Sequence, residues 1–201
     1  MNTEILGIIF MYAAVVLMAI PLGRYIGKVF SNDKTWLDKI FNPLDKVFFK
    51  LSGIDVSKHM NWKQQLAALL TINLLWFLIS MFVLTNMSWL PLNPDANPSM
   101  SADLAFNTSV SFVTNTNLQH YSGDTGLSYL GQLILMLWQF ISAGCGIAIA
   151  AVVFFAMKES TTDKLGNFYF FFIRSCTRVL FPIALVVATL LVLNGTPMTM
   201  Q

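Results

Sequence analysis

Residues 106–126, FNTSVSFVTNTNLQHYSGDTG, place a dense set of small polar side chains between long apolar runs. Within them Thr114, Asn115, Thr116 and Asn117 form the run TNTN, directly after a segment that can be helical. Backbone carbonyls, together with Thr and Asn side chains, supply oxygen ligands without a fixed negative charge. Such oxygens can replace the hydration shell of a cation. The stretch therefore indicates a cation-binding site, provided that the flanking elements hold it at membrane depth.

The composition of the chain is that of an integral membrane protein. Hydrophobic residues make up 56% of the 201 residues and charged residues only 11%. The 12 basic and 10 acidic residues are too few to cover the surface of a soluble domain of this length. An unusually apolar soluble helical domain is the alternative, and the low charge disfavours it.

The positions of the basic residues predict the topology. All twelve Lys and Arg fall in residues 24–63 and 158–178, and residues 64–157 contain none. Basic residues gather on the cytoplasmic side of membrane segments, so both windows are predicted to be cytoplasmic. The first window also contains four Asp and lacks an aromatic stacking pattern, which argues against nucleic-acid binding.

Cysteine and histidine do not predict a metal site. Cys145 and Cys176 lie inside apolar segments, where a free thiol behaves as a small hydrophobe. His59 and His120 are predicted to lie on opposite sides of the membrane. Neither residue type forms a metal-ligand spacing.

Apolar runs and breakers predict an all-α membrane protein with a span–pore helix–span unit, preceded and followed by one further span. A cleaved signal peptide is disfavoured because the basic residues follow the first apolar run. The predicted segments are a transmembrane helix at 1–23 with an external N-terminus, a cytoplasmic segment at 24–63 with short amphipathic pieces, the span–pore loop–span unit at 64–157, a cytoplasmic loop at 158–167, a transmembrane helix at 168–193 and an external tail at 194–201.

Residues 102–126 are predicted to enter and leave the membrane by its outer face, because the basic windows bracket the two spans around them. Residues 102–113 can form a helix of about 18 Å, which reaches only partway through a bilayer. The C-terminal end of this helix would direct partial negative charge toward an ion. A polar external loop with a short surface helix fits the composition equally well.

The start and packing of this short helix can also be predicted. Ser101 or Asp103 is expected to cap its first turn. Its apolar contacts are expected from Leu104, Val110 and Val113. The predicted pore helix and filter together occupy about residues 102–120.

The stretch FNTSVSFVTNTNLQHYSGDTGLSY resembles the first selectivity-filter region of the potassium-binding subunit of the bacterial Kdp transporter, a P-type ATPase complex. MNWKQ at 60–64, LPLNP at 90–94 and LGN at 165–167 resemble the same family in the same order. The resemblance implies four span–pore–span repeats around one filter. It implies that Asn115, Thr116 and Asn117 contribute to that filter, and that Gln119 at its outer mouth influences ion selection.

The resemblance also implies the partners. Potassium would be the ligand, with no covalently bound cofactor, in the inner membrane of a bacterium. The chain has no G-x-x-x-x-G-K-[ST] motif and no predicted catalytic residues, so ATP hydrolysis would belong to a P-type pump subunit, with accessory subunits alongside. Because this sequence ends within the second repeat, the expectation is a truncated subunit.

Two other functions are alternatives to ion binding. A non-transporting membrane scaffold would only pack against partner subunits, and it would not require the TNTN run. A membrane enzyme using Asp103, His120 and Asp124 as acid/base groups is disfavoured because no nucleophile is evident.

Overall fold

The computed structural model describes residues 3–158 and 165–196, and all regular elements within them are helical. Four helices are long and apolar enough to cross a membrane, which makes the chain a multi-pass membrane protein: Glu4–Phe30, Trp62–Thr85, Tyr129–Lys158 and Phe168–Leu193. The predicted external N-terminus, most of the predicted loop at 158–167 and the end of the predicted tail at 194–201 lie outside the described residues.

The chain divides into two compact units between Phe48 and Phe49. In the first unit, α1 is Thr3–Phe30 and α2 is Asp38–Leu51, which runs into the second unit. The predicted end of the first helix at residue 23 is therefore too early, because α1 continues through its basic residues. Lys28 lies in the last turn of α1, where a cation interacts favourably with the helix dipole.

The helix α2 also corrects the sequence interpretation. The predicted cytoplasmic segment at 24–63 was expected to contain only short amphipathic pieces, yet residues 38–51 form a continuous helix of 14 residues with Pro43 inside it. A proline costs one hydrogen bond to the carbonyl four residues earlier, here that of Lys39. The amphipathic pattern continues on both sides of Pro43, and the helix persists.

In the second unit, α3 is Trp62–Thr85, α4 is Ala102–Val113, α5 is the single turn Gly123–Gly126 and α6 is Tyr129–Lys158. The last predicted span is divided into α7 (Phe168–Arg174), a π-helical turn (Ser175–Leu180) and α8 (Phe181–Leu193). The amide of Phe181 donates to the carbonyl of Cys176, five residues earlier. This wider turn precedes Pro182, which has no amide of its own to donate.

Two tryptophans join α3 to α6. The rings of Trp76 and Trp138 lie 4.6 Å apart between centroids. The indole nitrogen of Trp138 donates to the carbonyl of Trp76 at 3.1 Å and contacts the Ser80 hydroxyl. Around them lies a buried cluster to which α3, α4 and α6 all contribute: Leu84, Met87, Met100, Ala105, Phe112, Leu127, Leu135 and Trp138.

The small residues of α6 are explained in part by helix packing. A Cβ added at Gly144 would lie 2.5 Å from the sulfur of Cys176, so the glycine allows the π-helical turn to approach α6. A Cβ at Gly146 would meet nothing within 4 Å. Cys145 is buried and Cys176 half-buried, and both are free thiols, as predicted.

Candidate functional site

The helix α4 has the bounds predicted for the pore helix, Ala102–Val113. It lies against α3 and α6, the two spans that flank it in sequence. The amide of Met100 donates to the carbonyl of Leu84 at 3.0 Å, which fixes the start of α4 beside the end of α3. The short helix is thus a packed element of the span–pore helix–span unit, unlike a detached surface helix.

The packing face of α4 differs from the predicted one. Leu104 and Val113 pack against the buried cluster, but Val110 is exposed. The fully covered positions are mostly small: Ala105, Thr108, Ser109, Ser111 and Phe112. Small side chains let a helix approach its neighbours closely. The larger Val110 would hold α4 further away if it faced them.

In the first turn of α4, the side chain of Asp103 interacts with backbone amides, whereas that of Ser101 does not. The side chain of Ser101, at the N-cap, makes no capping hydrogen bond. The Ser101 hydroxyl, and then the backbone amides of Leu104 and Asp103, lower the pKa of the Asp103 carboxyl. A carboxylate at this position also complements the helix dipole.

The backbone after α4 is fixed on one residue, Ser111. The amides of Thr116 and Asn117 donate to the Ser111 carbonyl at 2.9 and 3.2 Å. The amide of Leu118 donates to the Ser111 hydroxyl at 2.7 Å, and that hydroxyl donates to the Leu118 carbonyl at 3.1 Å. We call residues 114–119 the return. The backbone amides of three successive residues in it, Thr116, Asn117 and Leu118, therefore all point toward Ser111.

The direction of the carbonyl groups follows from that convergence. In a trans peptide the carbonyl points opposite to the amide hydrogen of the same peptide group, and the described residues contain no cis peptide. The carbonyls of Asn115, Thr116 and Asn117 therefore point away from Ser111. None of these three oxygens accepts a hydrogen bond within the described residues. The return thus presents a row of three unoccupied backbone oxygens.

The side chains of the return bond to one another. The Thr114 and Thr116 hydroxyls lie 2.7 Å apart, and the Asn117 amide nitrogen donates to Asn115 Oδ1 at 3.1 Å. Asn115 and Asn117 have φ of 58° and 56°, the left-handed region that Asn tolerates better than most residues. The alternation of Thr and Asn therefore gives the return its backbone shape as well as its polarity.

The end of the pore helix is partly occupied by the same segment. Thr114 donates to the Val110 carbonyl through its amide at 2.9 Å and its hydroxyl at 2.8 Å. The amide of Asn115 donates to the Phe112 carbonyl. With the Ser111 carbonyl also taken, the carbonyls of Val110, Ser111 and Phe112 are used internally. The Val113 carbonyl, at the end of α4, accepts no hydrogen bond within the described residues and so adjoins the free oxygens of the return.

Gln119 lies at the exit of the return. Its side-chain nitrogen donates to the Tyr121 carbonyl at 2.8 Å, and the residue is exposed. Gln132, at the start of α6, donates to the Leu127 carbonyl at 3.4 Å and lies 3.5 Å from the Gly123 carbonyl oxygen. Gln132 thereby links the residues after the return to the second span, whereas the bond of Gln119 is local.

The arrangement can coordinate a cation through neutral oxygens. Within the described residues no group of three or more His, Cys, Asp or Glu side chains could hold a metal ion. All residues of the return are exposed, so its oxygens form one open wall. Such a wall suits a weakly held monovalent cation better than a structural divalent metal.

A second non-helical region, not predicted from the sequence, joins the other ends of the spans. The amide of Met60 donates to the Gly166 carbonyl at 2.7 Å, and Gln65 donates to the carbonyls of Leu165 and Gly166, both at 3.2 Å. Asn167 caps α7 through the amides of Tyr169 and Phe170. We call residues 55–61 together with 165–167 the 60/166 junction; Gln65, in the first turn of α3, bonds to it.

The 60/166 junction brings together two of the motifs noted in the sequence. MNWKQ and LGN are about 100 residues apart, yet they share these hydrogen bonds. Asn61 and Gln64 also form a capping box at the start of α3, with bonds of 2.9 and 3.0 Å. Both motifs therefore have a structural role near the ends of α3 and α7.

Comparison with known proteins agrees with these features. The family model of KdpA, described as potassium-transporting ATPase A subunit, matches residues 9–201. A "potassium-transporting ATPase potassium-binding subunit" of Flavobacterium johnsoniae is 59% identical over 201 residues, which cover 100% of this chain and 35% of the relative. The protein of the same name in Flavobacterium psychrophilum is 60% identical over 201 residues, which again cover 100% of this chain and 35% of the relative. That of Caldanaerobacter subterraneus subsp. tengcongensis is 40% identical over 94% of this chain and 34% of the relative.

The chain is much shorter than these relatives, although the family model matches nearly all of it. The chain spans about a third of the length of the curated relatives it matches, since it covers 35% of the two Flavobacterium proteins. The family model nevertheless matches all but the first eight residues. Since this match covers nearly the whole chain, which has four helices that could span a membrane, the chain belongs to the KdpA family of potassium-transporting ATPase A subunits.

Proposed function

We propose that this chain supplies one wall of a potassium-selective filter in a potassium-binding subunit. The observation that carries the proposal is the row of carbonyl oxygens at Asn115, Thr116 and Asn117, which point away from Ser111 and accept no hydrogen bond within the described residues. Rings of backbone carbonyls replace the hydration shell of potassium in selective channels. The three hydrogen bonds to Ser111 hold these oxygens in place.

A single return cannot surround an ion. Its residues are exposed, and the carbonyls of Asn115, Thr116 and Asn117 all point away from Ser111. The remaining oxygens would come from equivalent returns, supplied by further segments of the same polypeptide or by other chains. Thr114 lies at the helix end of this wall, and Gln119 at its outer mouth.

Transport against a gradient would need a partner. The curated relatives are named as subunits of a potassium-transporting ATPase. We propose that ATP is hydrolysed by a separate P-type pump subunit, with accessory subunits in the complex. We further propose that the 60/166 junction lies on the cytoplasmic side of a bacterial inner membrane, with the return opening outward and the N-terminus external; the clustering of basic residues in the two windows supports this orientation.

The test is a charge placed at the mouth of the filter. In the complete subunit, Gln119→Arg would put a fixed positive charge beside the cation path. At an effective dielectric near 20 this repulsion amounts to about several kcal/mol, so the apparent potassium affinity should fall by orders of magnitude. The measurement is potassium-dependent ATP hydrolysis by the assembled complex.

The control is Asp95→Arg, at an exposed position of the loop between α3 and α4. Solvent and salt screen a charge there, so the apparent potassium affinity should remain nearly unchanged. Equal, small effects at the two positions would mean that the return is only a surface loop. The chain would then act as a membrane scaffold for its partners.

A further inference from the structure

A basic cleft of about 380 Å³ lies where α1 ends and the chain turns toward α2. Arg24, Lys28 and Lys34 supply three positive charges, and none of the lining residues is a carboxylate. The lining residues are Pro21, Arg24, Tyr25, Lys28, Lys34, Thr35 and Trp36. All of them belong to the first compact unit, and none contributes to the return.

The geometry of this cleft suits a phosphate group. Arg24 and Lys28 are four residues apart on α1 and so share one face of the helix. The turn that carries Lys34 is held by the Thr35 amide, which donates to Asp38 Oδ2 at 2.7 Å. A phosphate could therefore meet two cations from a helix and one from a turn.

The surroundings of the cleft indicate a membrane surface. α1 is an apolar helix in which nearly all side chains are exposed, and Trp36 at the cleft is 74% exposed. α2 carries an exposed apolar stripe of Ile40, Leu44, Val47 and Phe48 at helical spacing. Lys39 and Lys46 lie on another face of the same helix. This pattern is typical of a helix lying in the bilayer interface, and interfacial indoles prefer the headgroup level.

We propose that this cleft binds the headgroup of an anionic phospholipid. The three cations would hold the phosphate, and the exposed apolar side chains of α1 and α2 would lie along the acyl chains. A free phosphate would satisfy the same cations but would leave that apolar surface uncovered. The lipid accounts for both features.

The test compares lipid preference in variants of the complete subunit reconstituted in bilayers. Spin-labelled phosphatidylglycerol and phosphatidylcholine report the motionally restricted fraction of each lipid by electron paramagnetic resonance. Replacing Arg24, Lys28 and Lys34 by Gln should lower the preference for phosphatidylglycerol at least about fivefold, the effect of one or more basic groups near an anionic lipid. The matched control replaces Lys39, Lys46 and Lys50 by Gln and removes the same charge outside the cleft. Its effect should be no more than about twofold, because those charges act only through a screened field.

Other outcomes decide the proposal as well. Should the triple cleft variant misfold, Lys34→Gln alone changes an exposed turn residue outside both helices, and it should still lower the preference at least about twofold. Equal losses in the cleft and control variants would overturn the proposal in favour of diffuse attraction. No preference in the unaltered protein, or displacement of the labelled lipid by millimolar inorganic phosphate, would also overturn it.

Discussion

The return after α4 and the 60/166 junction are both non-helical, and both contain Asn residues. Backbone carbonyls accept hydrogen bonds from amide side chains at the junction, whereas three successive carbonyls of the return accept none from described residues. At the junction the carbonyls of Leu165 and Gly166 accept from Gln65, and Asn167 donates to the carbonyls of Asp55 and Lys58. In the return, the carbonyls of residues 115–117 accept from no described residue. Gln65 and Asn167 are buried, whereas the return is exposed.

The difference separates a structural segment from the segment that we propose binds the ion. Buried backbone groups without hydrogen-bond partners are costly. At the junction the side chains of Gln65 and Asn167 each donate to two backbone carbonyls and so meet this requirement. In the return the backbone amides of residues 114–118 donate hydrogen bonds, whereas the carbonyls of residues 115–117 accept none from described residues. Non-helical backbone at membrane depth is tolerated where it is buried in protein or lines a wet cavity. We propose that the return is the second case.

The largest expected effect is on the stability of the junction. Gly166 has φ of 77°, and an added Cβ would lie 2.5 Å from Cζ of Phe171. Gly166→Ala should therefore lower the free energy of unfolding by about 3 kcal/mol, from left-handed strain together with displacement of the ring. Thermal or denaturant unfolding in detergent measures this loss.

The matched glycine for this test lies just beyond the return. Gly126 does not have a positive φ, and an added Cβ would lie 3.8 Å from Cβ of Tyr121, an ordinary contact. Gly126→Ala should change the unfolding free energy by less than about 0.5 kcal/mol. Comparable losses at both glycines would contradict the contrast between the two segments.

The next effect concerns ion selection and should leave most of the stability intact. Ser111→Ala removes the hydroxyl that binds the amide and carbonyl of Leu118. The Asn117 carbonyl then loses its fixed direction, and the potassium-over-sodium preference of the complete subunit should fall at least about tenfold, which corresponds to about 1.4 kcal/mol. Ion competition for uptake by the assembled transporter measures it.

Ser109→Ala is the control for Ser111→Ala. Ser109 is on the same helix and is buried, but its hydroxyl has no hydrogen-bond partner within the described residues. Its removal should leave selectivity within about twofold of the original, because no bond to the return is lost. If the two variants lose selectivity equally, the packing of α4 is responsible rather than the contacts of Ser111.

The smallest expected effect is a pH dependence at the junction. The side chain of Ser57, and then its backbone amide, lower the pKa of the exposed Asp55 carboxyl below the ordinary 3.8. A lowered folded-state pKa means that the stabilisation is present above the unfolded pKa and is lost as the pH falls through the folded pKa. Asp55→Asn should therefore flatten the acid side of the stability profile, measured by thermal unfolding from about pH 6 to pH 3. An unchanged profile in the variant would show that the Asp55 carboxylate does not contribute to the pH dependence of stability.

The sequence predicts the pore helix well because its signals are local. Residues 102–113 lie between a Pro-rich loop and the TNTN run, so their length and limits can be inferred without knowledge of the fold. The end of α1 is different: Arg24 and Lys28 suggested an end to the helix, although basic side chains can extend from a continuing helix to the membrane surface.

The remaining features depend on contacts between distant residues. The bond between Met60 and Gly166 joins segments about 100 residues apart, and no local pattern specifies it. The role of Ser111 depends on how the chain turns after Val113, which TNTN alone does not determine. Val110 was misplaced because the apolar pattern of α4 does not reveal that its small polar face packs inward.

The central claim is that backbone oxygens of the return bind potassium, and it can be tested at single carbonyls. In the complete subunit, ¹³C labels at the carbonyl carbons of Asn115, Thr116 and Asn117 can be followed by solid-state NMR while potassium replaces sodium. The Leu118 carbonyl is the internal control, because it already accepts from the Ser111 hydroxyl. We predict shifts at the three labelled carbonyls and none at Leu118. Potassium-independent signals at all three, or an equal shift at Leu118, would contradict the assignment of the return as a filter wall.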